Sequence, residues 1–228
     1  MLAPVLVRVF NAAFDAGHLP GSINHTLVTP VHKKGDVGDT ANYRPISVTE
    51  PLSRLYATIL NKRLVSFTED YDLRDPTQAG FRPGKSTIHQ IFALQHFVDA
   101  ATPEQPLYCC FLDLKSAYDR VPKQALWEAL RRLGIGGKGL GAFQSFHTNS
   151  TMSMKIDGRT GGSVPSVSGV KQGCPLSPTL FGLFIDGLFH YLQASCPADG
   201  VLLPDGTHLR QLGYADDFVL LSHTVPGL

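Results

Sequence analysis

Two adjacent aspartates inside an apolar run constrain this 228-residue chain more than any other feature. The run is Leu212-Gly213-Tyr214-Ala215-Asp216-Asp217-Phe218-Val219-Leu220-Leu221, and it reads as two buried strands joined by a turn at Asp216-Asp217. Carboxylates between low-dielectric walls are costly unless a cation neutralises them, so two in succession suit a hard metal ion held by oxygen ligands. A solvated hairpin turn is the plain alternative, because aspartate is common at turns. A second apolar run, Leu107 to Leu114, contains Asp113 and reads as a buried strand ending in an acid. If the two strands are neighbours in one sheet, their carboxylates approach closely, and a shared ion relieves the repulsion. Magnesium suits such an all-oxygen set while leaving positions for water and phosphate.

Composition narrows the alternatives. With 43% apolar residues the chain can bury one large core or two small ones. A formal charge of +1 gives no global basic signature, so contact with a polyanion has to come from local patches. Cys109, Cys110, Cys174 and Cys196 form no Cys-x-x-Cys pair, which favours free thiols and a reducing compartment. The nine histidines form no His-Glu-x-x-His pattern, which argues against zinc. Arg8 interrupts the apolar start, and no run approaches the roughly twenty residues that span a bilayer. The expectation is an intracellular protein, cytoplasmic or nuclear, neither secreted nor membrane-bound.

Leu2, Val5, Leu6, Val9, Phe10, Ala13 and Phe14 recur at helical spacing from residue 1 until Gly17. Leu27 to Val31 reads as a strand, followed by Lys33-Lys34-Gly35-Asp36 and by Arg44, which Pro45 holds extended. These three cations lie on one flexible-looking hairpin. A helix capped by Thr49 or Ser53 carries Leu52, Leu55, Tyr56, Ile59, Leu60, Leu64 and Phe67 on one face. Gln78 to Thr87 is a rigid basic loop, and Ser86 caps a helix whose apolar positions include Ile88, Ile91, Phe92 and Leu94. Gly84-Lys85-Ser86 is not a nucleotide P-loop, since Ala79 stands where the first glycine is required. Pro122 opens a helix to Gly134, for which Asp119 is read as the cap, and a short helix surrounds Leu140 to Phe146. Ser150 to Asp157, ending at the turn pair Asp157-Gly158, and Gly161 to Val170 are expected to form a β-hairpin. Ser177 begins an apolar helix in which Asp186 needs a partner, and strands are expected from Pro197 to Asp205 and from Thr207 to Tyr214. Helices interleaved with antiparallel strands indicate an α+β class.

At this point the motifs carry a family resemblance. Phe111-Leu-Asp-Leu-Lys-Ser-Ala-Tyr-Asp-Arg-Val121, Gly169-Val-Lys-Gln-Gly-Cys-Pro-Leu-Ser-Pro178 and Tyr214-Ala-Asp-Asp217 resemble three consecutive palm motifs of reverse transcriptases. Upstream, Lys33 to Asp36, Asn42 to Ser47 and Ala79 to Ser86 resemble fingers motifs of the non-LTR (LINE-type) retrotransposon branch. The resemblance implies right-hand polymerase fingers and palm, with an antiparallel palm sheet packed on helices and the thumb absent. It implies fingers over 1-104, palm over 105-121, a fingers/palm insertion over 122-168, and palm again over 169-228, truncated before the thumb.

The resemblance also implies a reaction, RNA-directed DNA synthesis by two-metal phosphoryl transfer from deoxynucleoside triphosphates to a DNA primer on an RNA template. Asp113, Asp216 and Asp217 would be the catalytic metal ligands for two Mg2+ ions, with Mn2+ a substitute. Lys33 or Lys34, with Arg44, would hold the triphosphate. Tyr118 would exclude a ribose 2′-hydroxyl, and Gln172 and Gly173 would line the nucleotide pocket. Arg82 and Lys85 would grip template phosphates. The competing reading is a truncated, inactive retroelement remnant that at most binds nucleic acid. A template-independent phosphohydrolase is the third.

Overall fold

The computed structural model describes residues 2–147, 150–196 and 199–228; helix onset at Met1 and strand onset at Pro197 lie outside the described residues. In chain order the elements are α1 (Ala3–Ala16), β1 (His25–His32), β2 (Tyr43–Thr49), α2 (Pro51–Asp70), α3 (Thr87–Ala100), β3 (Tyr108–Asp113), α4 (Ala117–Arg120) and α5 (Lys123–Arg132). They continue as α6 (Gly137–Ser145), β4 (Thr151–Ile156), β5 (Arg159–Pro165), α7 (Ser177–Ser195), β6 (Val201–Leu202), β7 (His208–Leu209), β8 (Gln211–Tyr214) and β9 (Asp217–Ser222). The α+β class holds. Two compact units emerge, Met1–Leu64 with Tyr118–Leu180, and Val65–Ala117 with Phe181–Leu228. No described helix is long and apolar enough to cross a membrane.

In the first unit, α1 buries Phe10 and Ala13 and stops where Gly17 turns left-handed at φ 68°, its N–H bonding Phe14 O. Phe10 stacks on Tyr56 of α2 at 5.2 Å, and Tyr56 on Phe146 at 5.7 Å. This aromatic column ties helices from distant parts of the sequence into one core. The sheet has the order β2-β1-β4-β5. β1 runs antiparallel to β2 and parallel to β4, while β4 and β5 form the hairpin expected from Asp157-Gly158. The hairpin bearing Lys33, Lys34 and Arg44 is closed rather than loose. Asn42 Nδ2 donates to Asp36 O, Tyr43 OH donates to Val37 O, and Lys33 N–H donates to Asn42 O.

A buried polar seam crosses this unit. Asn24 Nδ2 donates to Ser145 O at 2.8 Å, and Lys171 Nζ donates to Asn24 Oδ1 at 3.4 Å. His147 packs on Trp127 at 5.6 Å, and its ring nitrogens have no hydrogen-bond partner among the described residues. Burial, aided by Lys171 and Lys123, pushes the His147 imidazolium down to about 3.

The second unit is built on a three-stranded antiparallel sheet of order β3-β9-β8. β9 takes the centre, paired with β3 on one side and β8 on the other. Val201, Leu212, Val219 and Leu221 form the core, and Ala93, Leu94 and Phe97 of α3 pack over it. One sequence expectation changes here. The Leu107–Leu114 run is not a buried strand but an edge strand, with Phe111 73% exposed. In α3 the apolar residues surround the helix, and Ile88, Ile91 and Phe92 face solvent while Leu94 and Phe97 pack inward; when both faces are apolar, periodicity does not choose between them. Ser86 does cap α3, and its N–H donates to His89 Nδ1 at 3.0 Å. In the first unit, Pro122 is the N-cap of α5 rather than its first residue, and Asp119 lies within α4.

Two ion pairs anchor the loop between α2 and α3. Asp186, the acid inside apolar α7, finds Arg74 Nε at 2.6 Å, with both side chains at most 3% exposed. Arg82 forks onto Glu69 at 2.9 and 2.6 Å, and its Nη1 donates to Asp75 O and Gln78 O. That bond holds the Glu69 carboxyl below its ordinary range despite desolvation.

Two outcomes follow from this packing. Lysine cannot reproduce a planar fork, so Arg82→Lys lowers the urea unfolding free energy by about 1–3 kcal/mol; an unchanged midpoint would show that the loop stands without the fork. For His147 the folded value of about 3 lies below the unfolded 6.5, so its contribution is present above pH 6.5 and is lost as pH falls. Stability therefore declines between pH 6.5 and 5 by up to about 1.4 kcal/mol per unit, and His147→Phe removes that slope. An identical slope in the variant contradicts the assignment.

Candidate active site

The acidic end of the second unit follows from strand register. β3 and β9 pair so that Asp113 lies directly opposite Asp217, Phe111 opposite Val219 and Cys109 opposite Leu221. Directly opposed residues of an antiparallel pair project to the same face, with Cβ atoms about 5 Å apart. β8 and β9 form a hairpin closed by Tyr214 opposite Asp217, which leaves Ala215-Asp216 as a two-residue loop. The turn thus falls one residue earlier than the sequence suggested, and Asp217 opens β9.

Asp113 and Asp217 are exposed and Asp216 is half-buried, so the acids occupy the open end of the sheet rather than its interior. None of the three has an ion-pair partner among the described residues. Desolvation, then Asp216 and Asp113, raise the Asp217 carboxyl above its ordinary range. An apolar groove of about 330 Å³, lined by Ile91, Leu94, Phe111 and Leu212 among others, reaches Asp113 and Asp217.

Oxygen-only donors that repel one another and have no lysine or arginine partner among the described residues fit a hard divalent ion. Among the described residues no three His, Cys, Asp or Glu groups close into a metal-holding cluster. An open arrangement of this kind suits magnesium, which is bound through one or two carboxylates and completed by water and substrate phosphates.

The turn carrying Asp216 is itself strained. Two-residue hairpin loops need a left-handed first residue, normally glycine or asparagine, yet Ala215 sits there at φ 61°, a conformation costing about 1–2 kcal/mol. Its surroundings hold it in place. Gln78, fully buried, accepts from Ala215 N–H at 2.8 Å through Oε1 and donates to Ala215 O at 3.1 Å through Nε2. The same Oε1 accepts from Gly80 N–H at 2.8 Å. Ala79 N–H donates to Gly213 O, and Gly213 N–H donates to Thr77 O, so residues 77–79 flank β8. Gly80 is required by space, because a Cβ there would overlap the Ala215 backbone nitrogen. Sequence reading passed over Gln78, since a lone glutamine in a loop has no signature.

In the first unit the predicted nucleotide-binding residues come together through backbone contacts. Val170 N–H donates to Tyr118 O at 2.8 Å, Gly169 N–H to Val121 O, and Ser47 N–H to Gln172 O at 2.7 Å. Gly173 takes φ 105°, where a Cβ would overlap Ser47 O, so only glycine lets this strip lie against β2. Arg44 stands on the same strand, exposed, and opposite Val31. Lys33 is close enough to Asp119 to oppose the rise that burial imposes on that carboxyl. Gln172 keeps Oε1 buried and without a hydrogen-bond partner among the described residues, while Lys34 is exposed on the β1–β2 loop.

The predicted template residues divide. Lys85 is exposed. Arg82 does not project outward: every guanidinium nitrogen is engaged by Glu69, Asp75 or Gln78, so it braces the loop.

The family described as "Reverse transcriptase (RNA-dependent DNA polymerase)" matches residues 31–226. The chain is 30% identical over 207 residues to the Pol polyprotein from the type-1 retrotransposable element R2 of Popillia japonica, covering 90% of this chain and 28% of that protein. It is 27% identical over 220 residues to the RNA-directed DNA polymerase from the mobile element jockey of Drosophila melanogaster, covering 95% and 23%. The chain therefore spans about a quarter of the length of these relatives. Among solved structures, telomerase from Candida tropicalis truncated from its C-terminal domain superposes with a TM-score of 0.61 at 14% identity, over 92% of this chain and 45% of that one. Telomerase from Candida albicans superposes with a TM-score of 0.60 at 15% identity, over 92% and 40%. At such identity the likeness concerns the fold, which is that of a polymerase. Taken with the ordered motifs and the carboxylates of paired strands, these matches mean that the chain belongs to the reverse transcriptase family, among relatives from non-LTR retrotransposons.

Proposed function

We propose that the chain carries the polymerising centre of an RNA-directed DNA polymerase, which adds deoxynucleotides to a primer 3′-hydroxyl on an RNA template and releases pyrophosphate. The observation that supports this best is the register that sets Asp113 opposite Asp217 beside a turn carrying Asp216.

On this reading the three carboxylates hold two divalent ions, magnesium by the chemistry of the donor set. Such ions, when bound, activate the attacking hydroxyl and stabilise the leaving oxygen. The chain's own groups do the rest. Arg44 with Lys33 or Lys34 balances the triphosphate charge. Tyr118 takes the role of excluding a ribose 2′-hydroxyl, and Gln172 that of an acceptor, its Oε1 being buried and without a hydrogen-bond partner among the described residues. Gly173 keeps its strip against β2, so that Gln172 presents to the nucleotide. Lys85 meets template phosphate without reading sequence, on a loop that Arg82 braces.

Primer extension on an RNA template with Mg2+ tests this. Asp216→Asn and Asp113→Asn should each lower incorporation by about a thousandfold or more, the scale on which losing electrostatic stabilisation of the transition state acts. Synthesis that persists in both variants contradicts the proposal, and so does phosphate release without template. In the same assay Tyr118→Ala should raise ribonucleotide incorporation relative to deoxynucleotide by at least about tenfold, a gain equal to about 1.4 kcal/mol of lost steric discrimination. An unchanged ratio returns Tyr118 to a packing role.

A further inference from the structure

We infer that Gln78 is a positioning residue for the acidic turn, acting on Asp216 and Asp217 through the Ala215 peptide; this rests on the polymerase reading above. The side chain is fully buried and comes from a loop 137 positions away in sequence. It brackets both polar groups of the one left-handed alanine in the hairpin. The amide orientation follows from its partners. Two N–H groups converge on Oε1 and one carbonyl faces Nε2, so a flipped amide would oppose like to like at all three.

No other natural side chain replaces it. Glutamate supplies the acceptors but, ionised, sets an oxygen against Ala215 O and adds an anion beside three others. Asparagine is one methylene too short, and methionine fills the space without either bond. Gln78 in turn stands on a braced loop, because Arg82 donates to Gln78 O and Gln90 Nε2 donates to Thr77 O and Gly213 O. What reaches Asp216 through this chain is a backbone direction: without the bracket, Ala215 relaxes from its strained φ and carries the next carboxylate with it.

The test is Mn2+ binding to this chain, read by electron paramagnetic resonance, with folding followed by circular dichroism. Gln78→Met is expected to fold and to bind Mn2+ about tenfold more weakly. Adding Ala215→Gly, which removes the left-handed penalty, should restore at least about threefold of that loss; a purely structural glutamine predicts no rescue. Asp216→Asn serves as reference. If Asp216→Asn binds Mn2+ like the unaltered chain, the metal-ligand assignment fails whatever Gln78 does. If Asp216→Asn weakens binding while Gln78→Met does not, or if glycine gives no rescue, the inference about Gln78 is overturned and the polymerase reading stands. Should Gln78→Met not fold, amide exchange in the unaltered chain decides. The Ala215 N–H should be protected as strongly as the β9 amides, and rapid exchange there overturns the inference.

Discussion

The pairing of β3 with β9 is the interaction on which the rest depends. Six consecutive residue pairs, from Tyr108 opposite Ser222 to Asp113 opposite Asp217, carry the apolar side chains of Cys109, Val219 and Leu221 toward the core under α3. Because side chains alternate with period two, slipping this register by one residue would expose that core and send Asp113 to the other face. Burial of ordinary hydrophobic residues at one end of the sheet thereby dictates where charge gathers at the other. The acids need no burial of their own to be placed, which explains how they stay open to solvent and available to a ligand.

Support for the acidic turn runs outward in stages. Ala215 occupies a backbone region that alanine avoids, Gln78 holds it, and the Gln78 loop is pinned by Arg82 on Glu69 and by Arg74 on Asp186. The Arg74–Asp186 pair is almost fully buried, and burial pulls the Asp186 carboxyl upward while the guanidinium opposes it. Such pairs contribute little net stability, because desolvation offsets attraction. Its consequence is specificity: an arginine and an aspartate that cannot be left unpaired select one docking of the loop on α7.

Much of this was legible from residues alone. Gly17 marks the end of α1, Ser86 the start of α3, Asp157-Gly158 the β4–β5 turn, and Asp186 signals a need for a partner, which Arg74 supplies. Each is a local signal, readable within a few residues. What was not legible is relational. Nothing near β1 indicates that it pairs parallel with β4, more than a hundred residues later. The apolar residues around α3 gave no face preference until the β8–β9 core selected Leu94 and Phe97. Template phosphate falls to Arg82 through the family resemblance, and Glu69 thirteen residues upstream carries no mark of being its partner. Among the candidate site residues, the acids stand out by their unusual setting and the rest by motif order; Gln78, whose only signal is three hydrogen bonds made at a distance, does not.

The central proposal is that residues 113, 216 and 217 share one divalent-metal centre at the end of the β3–β9 ladder. Paramagnetic broadening of backbone amide resonances on titration with Mn2+ tests it most directly. The account predicts that amides around Asp113 and those from Tyr214 to Asp217 broaden first and at the same Mn2+ concentration. Broadening confined to one of the two segments, or appearing first elsewhere in the chain, would contradict it.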